Sequence, residues 1–173
     1  MKGVIVMALK ELVVTRFGAE KWAEALRFSG IEQEPLLIPI SDFDDGLCLR
    51  VIGNVCKVLN LTFEQAADAF GDYWVNVYAP KMYPSYYEGA KSAKDMLLKM
   101  DEIHVQMTRH MENSHPPRFE YRWKDEKTLL MKYLSSRQLI AFFIGLIKGV
   151  GKYYRENLTI RQIGGNEVSI GFN

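Results

Sequence analysis

Hydrophobic residues recur every three or four positions through most of residues 3–111, which is the spacing of one face of an α-helix. Thr62 and Gln65 have the spacing of a capping box, which marks the start of a helix. We predict that this helix ends at Pro80 and Pro84, because proline cannot continue the hydrogen-bond ladder. The predicted helices cover residues 3–17, 19–28, 44–60, 62–80 and 92–111.

Beyond residue 112 the pattern changes to alternation. Pro116 and Pro117 exclude a helix, and Phe119, Tyr121 and Trp123 then alternate with charged residues as in a half-buried strand. The predicted elements are strands over 118–123, 128–135, 158–163 and 167–172, with a helix over 137–156. These elements predict an α+β fold, in which a mainly helical N-terminal part packs with a four-stranded antiparallel sheet.

Composition narrows the class of protein. The chain has 173 residues, which suits one domain, and a net charge of +1, which does not favour a nucleic-acid partner. Cys48 and Cys56 lie eight residues apart in one predicted helix, about 12 Å along its axis, so we predict free thiols. The N-terminus lacks a signal-peptide pattern, and the longest apolar run, residues 139–147, is too short to span a membrane. We therefore expect a cytoplasmic protein without a membrane partner.

His104 is the candidate metal ligand. It follows Leu97 by seven residues and Met100 by four, so it points with the apolar face of its helix. A neutral imidazole is a good ligand for iron, although a histidine in such a place is more often a hydrogen-bonded core residue. The positions three and four residues on hold Met107 and Thr108, which are not metal ligands of this kind. A metal at His104 would therefore bring its own remaining ligands.

Tyr133, Ser135 and Arg137 form a candidate anion site. On an extended chain, residues two apart face the same way, so two hydroxyls and a guanidinium would converge. This donor set suits a carboxylate or phosphate, and the alternative is a solvated strand end. Phe70 and Trp74 belong to a bulky aromatic stripe at helical spacing, which indicates either core packing or the wall of a flat apolar ligand site.

An apolar pocket, one imidazole and a carboxylate-binding cluster together fit haem b. The sequence resembles the haem nitric-oxide/oxygen-binding (H-NOX) domains, the sensory modules of soluble guanylate cyclases and bacterial gas sensors. The resemblance covers nearly the whole chain, and its most specific motif is Tyr133-x-Ser135-x-Arg137. Its further motifs are the opening Met-x-Gly with Ile5, Ala69-Phe70-Gly71-Asp72-Tyr73-Trp74, Met100-Asp101-Glu102-Ile103-His104, Pro116-Pro117-Arg118-Phe119 and Gly145-Leu146-Ile147.

The resemblance implies a role for each site residue. His104 would be the proximal iron ligand, Pro117 and Ile5 would distort the haem, and Tyr133, Ser135 and Arg137 would bind its propionates. It also implies one haem-binding domain over residues 1–173, with a helical distal part (1–80), a proximal part with the sheet (81–173), and the haem between them. The distal pocket would be lined by Leu9, Trp74, Tyr78, Phe142 and Leu146.

Gas selectivity depends on distal hydrogen bonding, and O₂-binding members carry a tyrosine where this chain has Phe142. We therefore predict that NO and CO bind and that O₂ does not bind stably, although Trp74 and Tyr78 do carry donors. The resemblance further implies that NO weakens the bond to His104 and thereby frees its helix.

A chain of this length leaves no room for a catalytic domain, so we expect a non-enzymatic sensor that signals to a separate effector. In bacteria of this family the effector is commonly a histidine kinase or a cyclic-di-GMP enzyme. Three alternatives stay open: a peroxidase-like haem enzyme, an O₂-binding haem protein, and a non-haem binding module for an apolar carboxylate.

Overall fold

The computed structural model describes residues 1–173 and has the predicted α+β architecture. Eight α-helices and one π-helical segment combine with four strands. The helices are α1 Gly3–Phe17, α2 Ala19–Phe28, α3 Asp45–Leu59, α4 Phe63–Tyr73, α5 Ala79–Met82, α6 Pro84–Glu88, α7 Ala93–Thr108 and α8 Ile140–Tyr154. The strands are β1 Arg118–Asp125, β2 Thr128–Leu134, β3 Leu158–Gln162 and β4 Glu167–Phe172.

Side-chain caps explain why several helices begin where the sequence predicts. The Thr62 hydroxyl accepts the N–H of Gln65 at 3.1 Å, and the Gln65 side chain accepts the N–H of Thr62 at 2.8 Å, so the predicted capping box is confirmed. Asp44 caps α3 by accepting the N–H of Leu47 at 2.8 Å. These bonds satisfy backbone donors that a helix start otherwise leaves open.

The segment after Tyr73 departs from the prediction. Residues Trp74–Tyr78 form a π-helical turn, in which the N–H of Ala79 reaches the carbonyl of Trp74 five residues earlier. The chain then continues as α5, and Pro80 lies at its first turn, where a missing N–H is tolerated. The prediction that Pro80 ends the helical segment is therefore wrong.

Bonds from distant residues stabilise this π-helical turn. The Tyr87 hydroxyl donates to the carbonyl of Val75 at 3.1 Å, and the Asn76 amide donates to the carbonyl of Gly149 at 3.2 Å. Burial raises the pKa of Tyr87, so the hydroxyl stays protonated and keeps donating. Helical periodicity could not reveal the turn, because its partners lie 12 and 73 residues away.

Two helices are shorter than predicted. α7 ends at Thr108, whose hydroxyl donates to the carbonyl of His104 at 2.7 Å, so Met111 lies outside the helix. α8 begins at Ile140, three residues later than predicted, because Gln138 adopts a left-handed conformation with φ of 52°.

The sheet is antiparallel throughout, with the strand order β1-β2-β4-β3. The two central strands supply the most deeply buried side chains of the sheet, which are Leu129, Met131, Val168 and Ile170. Cys48 and Cys56 form no disulfide with each other, as predicted, and both side chains are buried.

Backbone contacts divide the chain into two compact units. One comprises Met1–Ala66 with Asn113–His115, and the other comprises Ala67–Glu112 with Pro116–Asn173. We call them the N-terminal unit and the sheet unit.

None of the helices alone has the length and apolar character needed to cross a bilayer. The bent pair Asp45–Leu59 and Phe63–Met82 meets that test on length and composition only.

Candidate functional site

His104 lies on α7 of the sheet unit, next to the start of β1. Met100 and Met107, one turn to either side, pack partly buried against the apolar core of this unit. The Nδ1 of His104 lies 3.1 Å from the carbonyl oxygen of Pro117. Because a carbonyl only accepts, Nδ1 carries the hydrogen and donates, and the lone pair is on Nε2.

The charge state of His104 suits a ligand. Burial lowers the pKa of His104, although the bond to Pro117 opposes that shift. The imidazole is therefore neutral at neutral pH, and neutral imidazole is the form that binds a metal. The geometry leaves Nε2 as the available ligand atom of an oriented ring.

Asp101, one turn before His104, connects α7 to β1 through hydrogen bonds. Its carboxylate accepts from Nε and Nη2 of Arg118 at 2.8 and 2.7 Å and from the backbone N–H of Phe119 at 2.9 Å. The Asp101 N–H also donates to the hydroxyl of Tyr121 at 3.1 Å. The Arg118 fork holds the pKa of Asp101 below its ordinary value, so the carboxylate is ionised at neutral pH.

The predicted anion cluster is only partly extended. Tyr133 lies near the end of β2, where its buried ring stacks on Phe143 with 5.4 Å between ring centroids. The strand ends at Leu134, and the Ser135 hydroxyl then accepts the N–H of Arg137 at 3.3 Å in a turn. The prediction that Arg137 continues the extended alternation is wrong, because this local hydroxyl bond competes with the strand. The three residues remain neighbours in sequence at one end of β2.

Four aromatic rings of the sheet unit form a continuous row. Successive ring centroids lie 5.5 Å apart for Phe142 and Phe70, 5.9 Å for Phe70 and Trp74, and 5.6 Å for Trp74 and Tyr78. The rings of Phe70, Trp74 and Tyr78 are stacked with interplanar angles of 22° and 20°, whereas Phe142 is tilted by 57° to Phe70. Leu146 lies one turn after Phe142 on α8. In the N-terminal unit, Leu9 is buried on α1 and Ile5 is partly buried one turn before it.

One aromatic residue that sequence reasoning did not assign to a site, Phe119, connects two of these groups. The Phe119 ring lies 5.5 Å from that of His104 and 6.1 Å from that of Tyr133, so it links the two predicted ligand groups. Phe70, which its i, i+4 spacing with Trp74 placed in the aromatic stripe, joins Phe142 to Trp74. The position of Phe119 could not be found in this way, because it depends on the path of the chain through the bend before β1.

Comparison with known sequences decides the family. The haem-NO-binding family pattern matches residues 2–162. The chain belongs to this family, the H-NOX domains. The resemblance predicted from the motifs is thus confirmed.

Relatives of known structure share the whole fold. A Cs H-NOX variant carrying 4-cyano-L-phenylalanine is 25% identical, with a TM-score of 0.90 over 100% of this chain and 97% of that one. An oxygen-binding H-NOX domain related to soluble guanylate cyclases, solved as its oxygen complex, is also 25% identical, with a TM-score of 0.86 over 100% of this chain and 95% of that one. The predicted fold class is therefore confirmed.

A sequence relative comes from a larger protein. The soluble guanylate cyclase gcy-32 of Caenorhabditis elegans is 23% identical over 181 residues, which cover 100% of this chain and 26% of the cyclase. The H-NOX chain thus corresponds to about a quarter of that relative. H-NOX domains bind haem and are gas sensors related to guanylate cyclases, so the family is sensory rather than catalytic.

Proposed function

We propose that this H-NOX chain is a gas sensor that holds haem b through His104, binds NO and CO, and does not bind O₂ stably. The observation that carries the proposal is the bond from Nδ1 of His104 to the Pro117 carbonyl at 3.1 Å. A carbonyl that accepts the other ring N–H in this way fixes the tautomer and orientation of metal-binding histidines.

The chemistry of the surrounding residues fits haem. Neutral His104 supplies one nitrogen, so the other ligands of the metal must come from the cofactor. Tyr133, Ser135 and Arg137 supply hydroxyl and guanidinium donors for two propionates. The row from Phe142 to Tyr78 supplies a continuous aromatic surface of the kind that suits a porphyrin. The haem iron, when bound, supplies the position at which a gas ligand attaches.

Selectivity against O₂ rests on the distal residues. O₂ bound to iron gains from a nearby hydrogen-bond donor, and the phenyl ring of Phe142 offers none. Phe142 is buried and packs on Phe70, so water does not supply a donor readily at this ring. Leu9 and Leu146 are likewise apolar. Trp74 and Tyr78 do carry hydrogen-bond donors, so O₂ binding is the alternative outcome, and an absorption spectrum recorded in air distinguishes the two.

The proximal residues would carry the signal. We assign Pro117 and Ile5 to haem distortion. We assign signal transmission to α7, because this helix bears His104 and most of its buried residues lie in its first half. The chain would work as a single H-NOX domain in the cytoplasm of a bacterium. Its effector would be a separate protein, either a histidine kinase or a cyclic-di-GMP enzyme.

Absorption spectra of the reduced, haem-loaded protein test the gas selectivity. We expect the spectrum to change with NO and with CO and to stay unchanged in air. We expect Phe142→Tyr to raise O₂ affinity about tenfold to hundredfold, the gain of one hydrogen bond to a charged acceptor. Phe143→Tyr is the control, because Phe143 packs with Phe119 and Tyr133 instead. A wild-type spectrum that changes stably in air contradicts the proposal.

A further inference from the structure

α7 is attached to the rest of the sheet unit at two places. At its N-terminus Ala93 and Leu97 are buried, and the Ala93 N–H donates to the carboxylate of Glu156 at 2.9 Å. Between Leu97 and the end of the helix, Ile103 is the only buried residue, and Met100 and Met107 are half-buried against the core. The Asp101 carboxylate is the second attachment, and it adds charged hydrogen bonds to the apolar packing of the C-terminal half.

The Asp101 attachment lies next to the hydrogen bond between His104 and Pro117 that orients the imidazole. Asp101 precedes His104 by three residues, so both side chains lie on neighbouring turns of one helix. Their partners on the other side are consecutive residues: the carbonyl of Pro117 takes Nδ1 of His104, and Arg118 and Phe119 bind Asp101. A shift of α7 along β1 would break both sets of bonds together.

The bidentate geometry makes this attachment directional. Two parallel N–H···O bonds from one guanidinium fix both distance and angle, which a single lysine contact does not. The side chain of Asp101 is 22% exposed and that of Arg118 is 55% exposed, so the pair is screened by solvent and adds little to overall stability. The effect of the ion pair is instead to fix the position of α7 relative to β1.

We propose that Asp101 and Arg118 are positioning residues for the metal ligand His104. They hold the His104 turn of α7 against Pro117, and so they set the direction in which Nε2 points and resist its withdrawal. This inference rests on the proposed function, in which Nε2 of His104 binds the haem iron.

The variants Asp101→Ala and Arg118→Lys separate the effect of the bidentate hydrogen bonds from that of the positive charge. Asp101→Ala removes the acceptor, whereas Arg118→Lys keeps the charge and removes the fork. The control is Lys132→Gln, which breaks an exposed pair with Glu120 of 3.1 Å on the same sheet. Two measurements are made on reduced, haem-loaded protein: the iron–histidine stretching band by resonance Raman, and hydrogen–deuterium exchange of amides 104–108.

We expect Asp101→Ala to lower the frequency of the iron–histidine band and to speed exchange of amides 104–108 about tenfold, since fewer contacts then oppose local opening. Arg118→Lys should give a smaller change in both, and Lys132→Gln none. A band and exchange rates identical to wild type in Asp101→Ala would overturn the positioning role, as would equal effects of Lys132→Gln. A wild-type protein that binds haem but shows no iron–histidine band, or binds no haem, refutes instead the proposed function.

Discussion

Replacing His104 by glycine is expected to lower haem affinity at least about a hundredfold, and added imidazole is expected to restore it. The reason is that His104 presents the only imidazole that the proposed site contains, as a neutral ring with Nδ1 bonded to Pro117 and Nε2 available. Free imidazole can enter the space left by the side chain and supply an equivalent nitrogen. Titration with haem, followed by the Soret absorbance, measures the effect.

His110→Gly is the matched control for this substitution. His110 is exposed and lies beyond the end of α7, so its loss should leave haem affinity unchanged. Equal haem affinity in wild type and His104→Gly would contradict the assignment of the ligand. Haem uptake that is absent in all variants, together with binding of an apolar carboxylate, would favour the non-haem binding module.

Replacing Gly71 by alanine is expected to lower the free energy of unfolding by about 3 kcal/mol, because the added carbon has no room. A Cβ at Gly71 of α4 would overlap the carbonyl group of Gly145 on α8, so two helix backbones would have to separate. Backbone cannot rotate away as a side chain can. Thermal unfolding should show a fall in Tm of about 6–12 °C.

Gly53→Ala provides the comparison, since Gly53 also lies inside a helix but a Cβ there meets nothing within 4 Å. This variant should be unchanged or more stable by about 0.5–1 kcal/mol, the gain in helix propensity. If both glycine variants lose stability equally, close packing of α4 on α8 is not the cause.

The fold class could be predicted from local periodicity because hydrophobic residues recur at different spacings in the two parts of the chain. Spacing of three to four residues up to residue 111 indicated helices, and alternation from Phe119 indicated strands. The strands themselves depart from strict alternation, since Trp123 is exposed and Leu129, Leu130 and Met131 are buried in succession. What periodicity missed depends on long-range bonds or special backbone conformations. The π-helical turn needs Tyr87 and Gly149 as partners, and the late start of α8 needs Gln138 in a left-handed conformation.

The candidate site could be predicted in part for the same reason. Spacing along one helix correctly pointed His104 toward apolar neighbours. It could not reveal that the carbonyl of Pro117 would be the partner of Nδ1, since Pro117 lies 13 positions further along the chain, beyond a bend. Alternation likewise held for Tyr133 but failed at Arg137, because the Ser135 hydroxyl forms a local bond where the strand ends.

Haem content of the purified protein tests the central claim most directly. The protein is produced in cells supplied with haem, and the Soret absorbance is compared with the protein concentration before and after incubation with added haem. The proposed function predicts a coloured protein with equimolar haem. A colourless protein that takes up no haem from solution would contradict it, and with it the assigned roles of His104, Tyr133 and Arg137.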